Sequence, residues 1–449
     1  MQTEDLLNKV IKTLEESHLF LTGGGGVGKS YITNKVMEHF RANGKNVVAL
    51  GSTGVSAVNI GGITLHAFFG FGICKNQQEL KEYDRSRRAK EKLASLAEIL
   101  SKTELLIIDE ISMVSSELFL MIYERLFKLN FGGKIMVVGD FYQLPPIVKD
   151  EKNDLFTNKY AFSSHAWELL NFTNIEFIKS KRTTDLEFYR VLSLIRVGRV
   201  DEKITSYLKQ FLTSSNSLDS DMTTLFGRNK EADALNSLML SRIDANLETF
   251  EGYTEMNVKG VHPEKVDKWI KNLNVAPVFE FKVGARVLFT MNKYSLDRND
   301  MEFYNGEKGV IVEVKKDEFG FVTSVFIEKE DSDVVEVLPN GYEMGEFVAL
   351  GDEVKYEVMA TFYQFPLRLA YGITIHKSQG MSIENLTCNL DNIFAEGQLY
   401  VALSRATNPK SLKIVYTRYE PFERYIQRVV KTNKAVDEFY QNESFIYYE

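Results

Sequence analysis

Gly23-Gly24-Gly25-Gly26-Val27-Gly28-Lys29-Ser30 is the most restrictive segment of the chain, because it fits the pattern G-x-x-x-x-G-K-[ST]. An apolar run, Leu19 to Thr22, precedes it, and Lys29 to Asn43 follows, with Ile32, Val36 and Phe40 at four-residue spacing before Gly44. That order predicts a strand, a glycine loop and a helix with a glycine stop. Such a loop lets backbone N–H groups converge on phosphate oxygens, and the helix N-terminus adds favourable partial charge. Lys29 would reach the β/γ oxygens and Ser30 would ligate Mg²⁺. The bland reading, a flexible loop before an unrelated helix, does not account for the strand and helix context.

The same plan recurs. Val47 to Leu50, Leu105 to Ile108 and Ile135 to Val138 are short runs apolar on both faces, as buried parallel strands read. A second series at Thr224 to Gly227, Leu367 to Thr374, Asn385 to Leu390 and Leu412 to Tyr416 predicts a second α/β sheet. Between them, Phe281 to Phe362 alternates Val, Ile and Phe with turn clusters such as Asn305-Gly306 and Asn340-Gly341, the spacing of a small antiparallel barrel. Residues 70 to 100 are rich in Lys and Arg and are expected to be a helical insertion, and Thr213 to Asp221 a polar surface loop. A length of 449 residues is room for about three structural units. Two cysteines far apart, Cys74 and Cys388, argue against a disulfide framework or a cysteine-based zinc site. No signal peptide or membrane span is visible, so a cytoplasmic protein, bacterial or phage-like, is expected.

Leu105-Leu106-Ile107-Ile108-Asp109-Glu110 is an apolar strand ending in two acids. Beside a phosphate loop, Asp109 would hold Mg²⁺ and Glu110 would take a proton from the attacking water. Alone, such a pair is more often a helix cap. A third strand end, Val137-Val138-Gly139-Asp140-Phe141-Tyr142-Gln143-Leu144-Pro145-Pro146, places the Gln143 amide where a γ-phosphate or its water could be sensed.

With these residues in hand, the chain resembles a superfamily 1B helicase of the PIF (petite integration frequency) family, related to Dda- and RecD-like enzymes. The likeness runs from about residue 18 to the C-terminus. It rests on the phosphate loop, on Gly51 to Phe68 (GSTGVSAVNIGGITLHAF), on Asp109-Glu110-Ile111-Ser112-Met113, and on Gly139 to Pro146. It continues with Thr374-Ile375-His376-Lys377-Ser378-Gln379-Gly380-Met381 and Gly397-Gln398-Leu399-Tyr400-Val401-Ala402-Leu403-Ser404-Arg405-Ala406, in the family's order. Three positions depart from the pattern. Val27 stands where Thr is usual, Thr183 follows Arg182 where Gln is usual, and Gln2 is the sole candidate for the adenine-reading glutamine.

The resemblance implies an α/β fold: two RecA-like parallel-sheet P-loop domains with ATP clamped between them. The first would span 1–180 with a small helical wedge insertion at about 68–100. The second would span 181–449 with a small antiparallel Src-homology-3-like β-barrel at about 284–364. Lys29, Glu110 and Gln143 would serve catalysis with Arg182 and Arg405, which would neutralise charge developing at the γ-phosphate. Gly380 joins Gly23 to Ser30 and Gln2 in the expected nucleotide set. On the DNA side the resemblance implies Thr53, His66 and Phe68, then Asn229, Thr374, His376 and Lys377. The wedge would add Arg85, Arg87 and Arg88, with Lys90 and Lys92 beside them. Read alone, His66 and Phe68 fit a core equally well, and the basic run fits a solvated helix face.

The implied activity is ATP- and Mg²⁺-dependent translocation 5′ to 3′ on single-stranded DNA with unwinding of duplex DNA, in replication, repair or recombination. Single-stranded DNA and single/double-strand junctions are the implied partners of a monomer, with G-quadruplexes and RNA–DNA hybrids left open. The alternative is a nucleotide-gated DNA-binding ATPase or small-molecule kinase. A net charge of −8, from 54 bases and 62 acids, argues against a uniformly basic coat, so the activity that the resemblance implies leads to the expectation of a local positive groove near Arg85 to Lys92 and Lys377.

Overall fold

Parallel strands apolar on both faces must be covered on both faces, and the helices between them do this. A computed structural model describes residues 2–72, 74–146, 160–213, 221–294 and 301–449. The polar loop expected at Thr213 to Asp221 lies almost wholly outside the described residues. The chain forms two compact units, one of Met1–Lys181, Met344–Met359 and Thr432–Glu449, the other of Arg182–Glu343 and Ala360–Lys431.

In the first unit, seven described strands form one sheet in the order Phe445–Tyr448, Thr173–Phe177, Leu19–Gly23, Lys134–Val138, Leu105–Asp109, Val47–Gly51, Ile63–Thr64. Every neighbouring pair is parallel. The strand ends at Gly23, Asp109 and Val138 therefore share one edge, where α/β sheets present their ligand-binding loops. Val10 and Leu14 from the first helix and Ile32 and Val36 from the helix Lys29–Ala42 pack on Leu21, Ile107, Met136 and Ile175 of this sheet.

The basic insertion is helical, at Gln77–Tyr83 and Arg87–Lys102. Arg125, 3% exposed, reaches back to it from the helix Ser116–Lys128. Its guanidinium donates to both carboxylate oxygens of Asp84 at 2.5 and 2.8 Å and to the Phe69 carbonyl at 3.3 Å, and it lies over the Phe71 ring. A fork-to-fork pair this buried fixes the insertion to the sheet layer.

The second unit holds a parallel sheet in the order Gly372–Thr374, Thr223–Phe226, Leu386–Asn389, Leu412–Val415, Leu212–Thr213. The alternating region forms a five-stranded antiparallel sheet, Val334–Val337, Val322–Lys329, Lys308–Lys316, Arg286–Phe289, Leu367–Leu369, around Phe281, Phe289, Phe303 and Phe365. Lys308 ties the two sheets, its ammonium donating to the Asp221 carbonyl at 3.1 Å and the Asn385 carbonyl at 2.6 Å. Burial pulls that ammonium down to about 8.

Three expectations are corrected. The run Leu367 to Thr374 is two strands in different sheets, since Leu367–Leu369 pairs antiparallel with Arg286–Phe289 before Gly372–Thr374 enters the parallel sheet. The ribbon of Asn340–Leu350 and Glu353–Gln364, expected wholly in the second domain, contributes Met344–Met359 to the first unit. There Phe347 meets Phe68, Glu346 pairs with Lys92, and Asn46 holds the Asp352 carbonyl and the Val354 N–H. The C-terminal Thr432–Glu449 likewise belongs to the first unit, because Phe445–Tyr448 pairs with Thr173–Phe177.

The Arg125 pair yields a stability test. Asp84→Ala leaves a guanidinium buried without its counter-ion and should cost about 3–5 kcal/mol. Urea unfolding of the first unit, followed by its near-ultraviolet signal, should show the midpoint fall, while Glu91→Ala at the exposed Arg87 pair should leave it nearly unchanged.

Candidate active site

The phosphate loop is shaped by what glycine alone tolerates. Gly23 has φ 137° and lies so close to the next strand that a Cβ there would stand 2.4 Å from the Phe177 carbonyl oxygen. Gly28, at φ 94°, is the left-handed residue from which the helix Lys29–Ala42 starts. Val27 turns inward, 4% exposed, into the core with Leu21 and Ile32. Where the family pattern has Thr, this chain therefore places an apolar side chain that packs in the core. The Lys29 ammonium donates to the Gly23 and Gly24 carbonyls at 2.6 and 3.0 Å, and the Lys181 N–H donates to the Gly26 carbonyl at 2.7 Å. Ser30 is exposed at the first turn. Gln2 opens the first helix, but its side chain lies outside the described residues.

At the same sheet edge, Asp109 ends its strand and Glu110 follows at φ 54°, a left-handed conformation rare outside glycine. Withdrawal from water, and then the adjacent Glu110 charge, pushes the Asp109 carboxyl up to about 7. Two crowded carboxylates with a lysine nearby form a donor set that a divalent cation would neutralise, so Asp109 with Ser30 fits a Mg²⁺ ion. Asp140, 1% exposed, closes the third loop, accepting from the Tyr142 N–H at 3.2 Å and from the Gln143 side-chain amide at 3.3 Å. Gln143 is thereby held by a residue of its own loop, two positions past the strand Lys134–Val138.

In the second unit the two expected arginines are brought together. Arg405, 2% exposed, donates to the Val401 carbonyl at 3.0 Å, the Ser404 hydroxyl at 2.9 Å and the Ser378 carbonyl at 3.4 Å. Arg182 donates to the Ser404 carbonyl at 2.7 Å and the Ser382 hydroxyl at 2.9 Å. Withdrawal from water, and then the like charge of Arg405, lowers the Arg182 guanidinium below its usual range, and it stays charged at neutral pH. Thr183 accepts from the Asp185 N–H at 3.2 Å, so it closes the turn before the helix Leu186–Arg196.

The DNA-side residues divide. Thr53 caps the helix Gly54–Asn59, its hydroxyl accepting the Ser56 N–H. His66 is exposed, edge-on to Phe71 at 6.2 Å. Phe68 is corrected: at 2% exposed, packed on Phe69 and Phe347, its ring is core and offers no face to a base. Arg85 and Lys90 are exposed, Arg87 pairs with Glu91, Lys92 with Glu346, and the Arg88 side chain lies outside the described residues. Asn229 is exposed at the start of the helix Asn229–Ser241. Thr374 ends a buried strand, with His376 and Lys377 half-buried after it and Gly380 exposed at φ 79°. Burial lowers the His376 pKa, and burial with the charge of Arg368 lowers that of Lys377. Sequence reading missed Tyr440, whose hydroxyl meets Thr22 and the Phe141 N–H. Its one local sign is the aromatic run Phe439, Tyr440 and Phe445.

Comparison with known proteins shows likenesses in sequence and in overall fold. The model of the PIF1-like helicase family matches residues 2–204. The ATP-dependent DNA helicase Pif1 of Campylobacter jejuni is 43% identical over 445 residues, covering 98% of this chain and 98% of that protein. Among solved structures, Bacteroides Pif1 in complex with ADP-AlF4 superposes with a TM-score of 0.81 at 24% identity, over 97% of this chain and 96% of that one. Bacteroides Pif1 bound to single-stranded DNA has a TM-score of 0.63 at 24% identity, over 98% and 97%. Identity of 43% sustained along nearly the whole of a relative, with a shared fold, means that this chain belongs to the PIF1-like helicase family.

Proposed function

We propose that the chain is an ATP-dependent DNA helicase that translocates 5′ to 3′ on single-stranded DNA and separates duplex strands as it hydrolyses ATP. The observation that carries this reading is the 43% identity, across 98% of both chains, to a protein named as an ATP-dependent DNA helicase. The shared sheet edge that bears Gly23, Asp109 and Gln143 supports it. The alternative, a nucleotide-gated binding protein or kinase, leaves the Thr374 to Met381 and Gly397 to Ala406 segments without a task.

Each step follows from the chain's own groups. Backbone N–H groups of the Gly23 to Gly28 loop and Lys29 bind the β- and γ-phosphates. Ser30 and Asp109 would hold Mg²⁺, which when bound supplies positive charge to the phosphate oxygens. Glu110 accepts the proton of the attacking water, and Gln143 orients that water. Arg405 and Arg182 stabilise the charge that grows as the γ-phosphoryl group leaves. Thr53, His66, Thr374, His376 and Lys377 offer hydroxyl, imidazole and ammonium groups to the DNA backbone, contacts that position a strand without reading its sequence. Arg85, Arg87 and Lys90 of the helical insertion fit the strand-separating junction. Forked DNA, G-quadruplexes and RNA–DNA hybrids are the substrates to compare, and replication, repair or recombination the processes served.

Lys29→Ala should lower DNA-stimulated ATP hydrolysis on the order of 10²-fold or more and abolish unwinding, with single-stranded DNA binding retained. Unwinding by that variant would contradict the reading. Glu110→Gln should lower kcat by roughly 10²- to 10⁴-fold while ATP affinity persists, as equilibrium binding of a fluorescent nucleotide would show. Oppositely tailed duplexes test direction, a 5′ tail supporting strand separation and a 3′ tail failing to do so.

A further inference from the structure

The last segment of the chain, Thr432–Glu449, enters the first unit and ends on its nucleotide-binding edge. Asn433 caps the helix Lys434–Asn442, and the strand Phe445–Tyr448 then extends the parallel sheet beside Thr173–Phe177. Phe439 supplies the packing, 8% exposed and stacked on Phe162 at 4.4 Å, with Trp167 at 5.8 Å and Phe141 at 5.6 Å. Tyr440, the next residue, does something different. Its ring stacks on Tyr142 at 4.7 Å with an 18° interplanar angle, and on Phe445 at 5.3 Å. Its hydroxyl lies 2.7 Å from the hydroxyl of Thr22, which is fully buried, and accepts the Phe141 N–H at 3.4 Å.

Those contacts fall on the strand end that leads into the phosphate loop and on the loop that carries Gln143. Thr22 immediately precedes Gly23, where the phosphate loop begins. Phe141 and Tyr142 lie between Asp140 and Gln143. A single phenol therefore bridges the root of the phosphate loop to the segment that carries the glutamine. A phenylalanine would fill the same volume and stack on Tyr142, but it would leave the Thr22 hydroxyl without this partner. The extra oxygen adds direction rather than packing.

We propose that Tyr440 is a positioning residue for ATP hydrolysis, its hydroxyl setting the register of Gln143 against the phosphate loop. The proposal rests on the reading of Gln143 as the group that orients the attacking water. Misplacing such a group by a fraction of an ångström slows the chemical step and leaves nucleotide binding, which depends on Gly23 to Ser30, largely intact.

The test uses the full chain, with steady-state ATP hydrolysis in saturating single-stranded DNA and thermal unfolding of each variant. Tyr440→Phe should lower kcat roughly 3- to 10-fold, the size of one neutral hydrogen bond, with KM for ATP within about twofold of the starting protein. Thr22→Val should give a similar loss from the other side of the bond, and the double variant no further loss. In a Gln143→Ala background, Tyr440→Phe should have no added effect on kcat. Unchanged kcat in Tyr440→Phe would overturn the proposal. So would a loss that rises in step with KM, a loss matched by a fall in the unfolding midpoint, or an undiminished effect in the Gln143→Ala background. An unmodified chain that hydrolyses no ATP in the presence of DNA would overturn the helicase reading as well, which separates the two failures.

Discussion

A loop able to present backbone N–H groups to a polyphosphate, the role proposed for Gly23 to Gly28, is the constraint on which the rest of this molecule depends. Side chains would block the approach of the phosphates, so the loop is glycine, and its root must turn at a φ no other residue holds comfortably. Gly23 sits against the Phe177 carbonyl at a distance that leaves no room for a Cβ, which fixes the spacing of the strands Leu19–Gly23 and Thr173–Phe177. Once those strands run parallel, the loops after Asp109 and Val138 must emerge at the same edge. The acid pair and the glutamine arrive beside the phosphate loop by topology and need no long side chains to reach it.

Much of this was legible from residue order alone. The glycine loop, the acid pair at 109–110 and the turn after Val138 each sit at the end of a short apolar run, and a strand-end loop in a parallel sheet needs little beyond that local pattern. The pairing of Arg182 with Arg405 was legible only by resemblance, since 222 residues separate Arg182 from Ser404, the residue that holds both. What could not be read were the returns of the chain. The ribbon tip at Met344–Met359 and the tail at Thr432–Glu449 join the first unit through sheet pairing and side-chain contact over hundreds of residues, and local periodicity does not say which unit a segment joins. Phe68 shows the same limit at one position. The resemblance implied a DNA contact, whereas packing on Phe69 and on the sequence-distant Phe347 makes it core.

The charge balance resolves in a similar way. A net charge of −8 does not forbid a polyanion partner, because a track-following protein needs positive charge only where it grips. Part of the basic insertion is spent internally: Lys92 holds Glu346 and Arg87 holds Glu91, while Arg85 and Lys90 face solvent. In the second unit, burial and then the charge of Arg368 lower the Lys377 pKa while Asp233 opposes the shift, so the cationic groups there have an acid among them. Hydroxyl, imidazole and cationic groups of this kind are the ones proposed to contact the DNA backbone.

The central claim is that strand separation is driven by hydrolysis at the Gly23 to Ser30 loop rather than permitted by nucleotide binding there. Displacement of a labelled strand from a 5′-tailed duplex, followed with ATP and with a non-hydrolysable ATP analogue at saturating concentration, tests it most directly. Separation with ATP and none with the analogue is the predicted result. Separation at comparable rates with both would contradict the account.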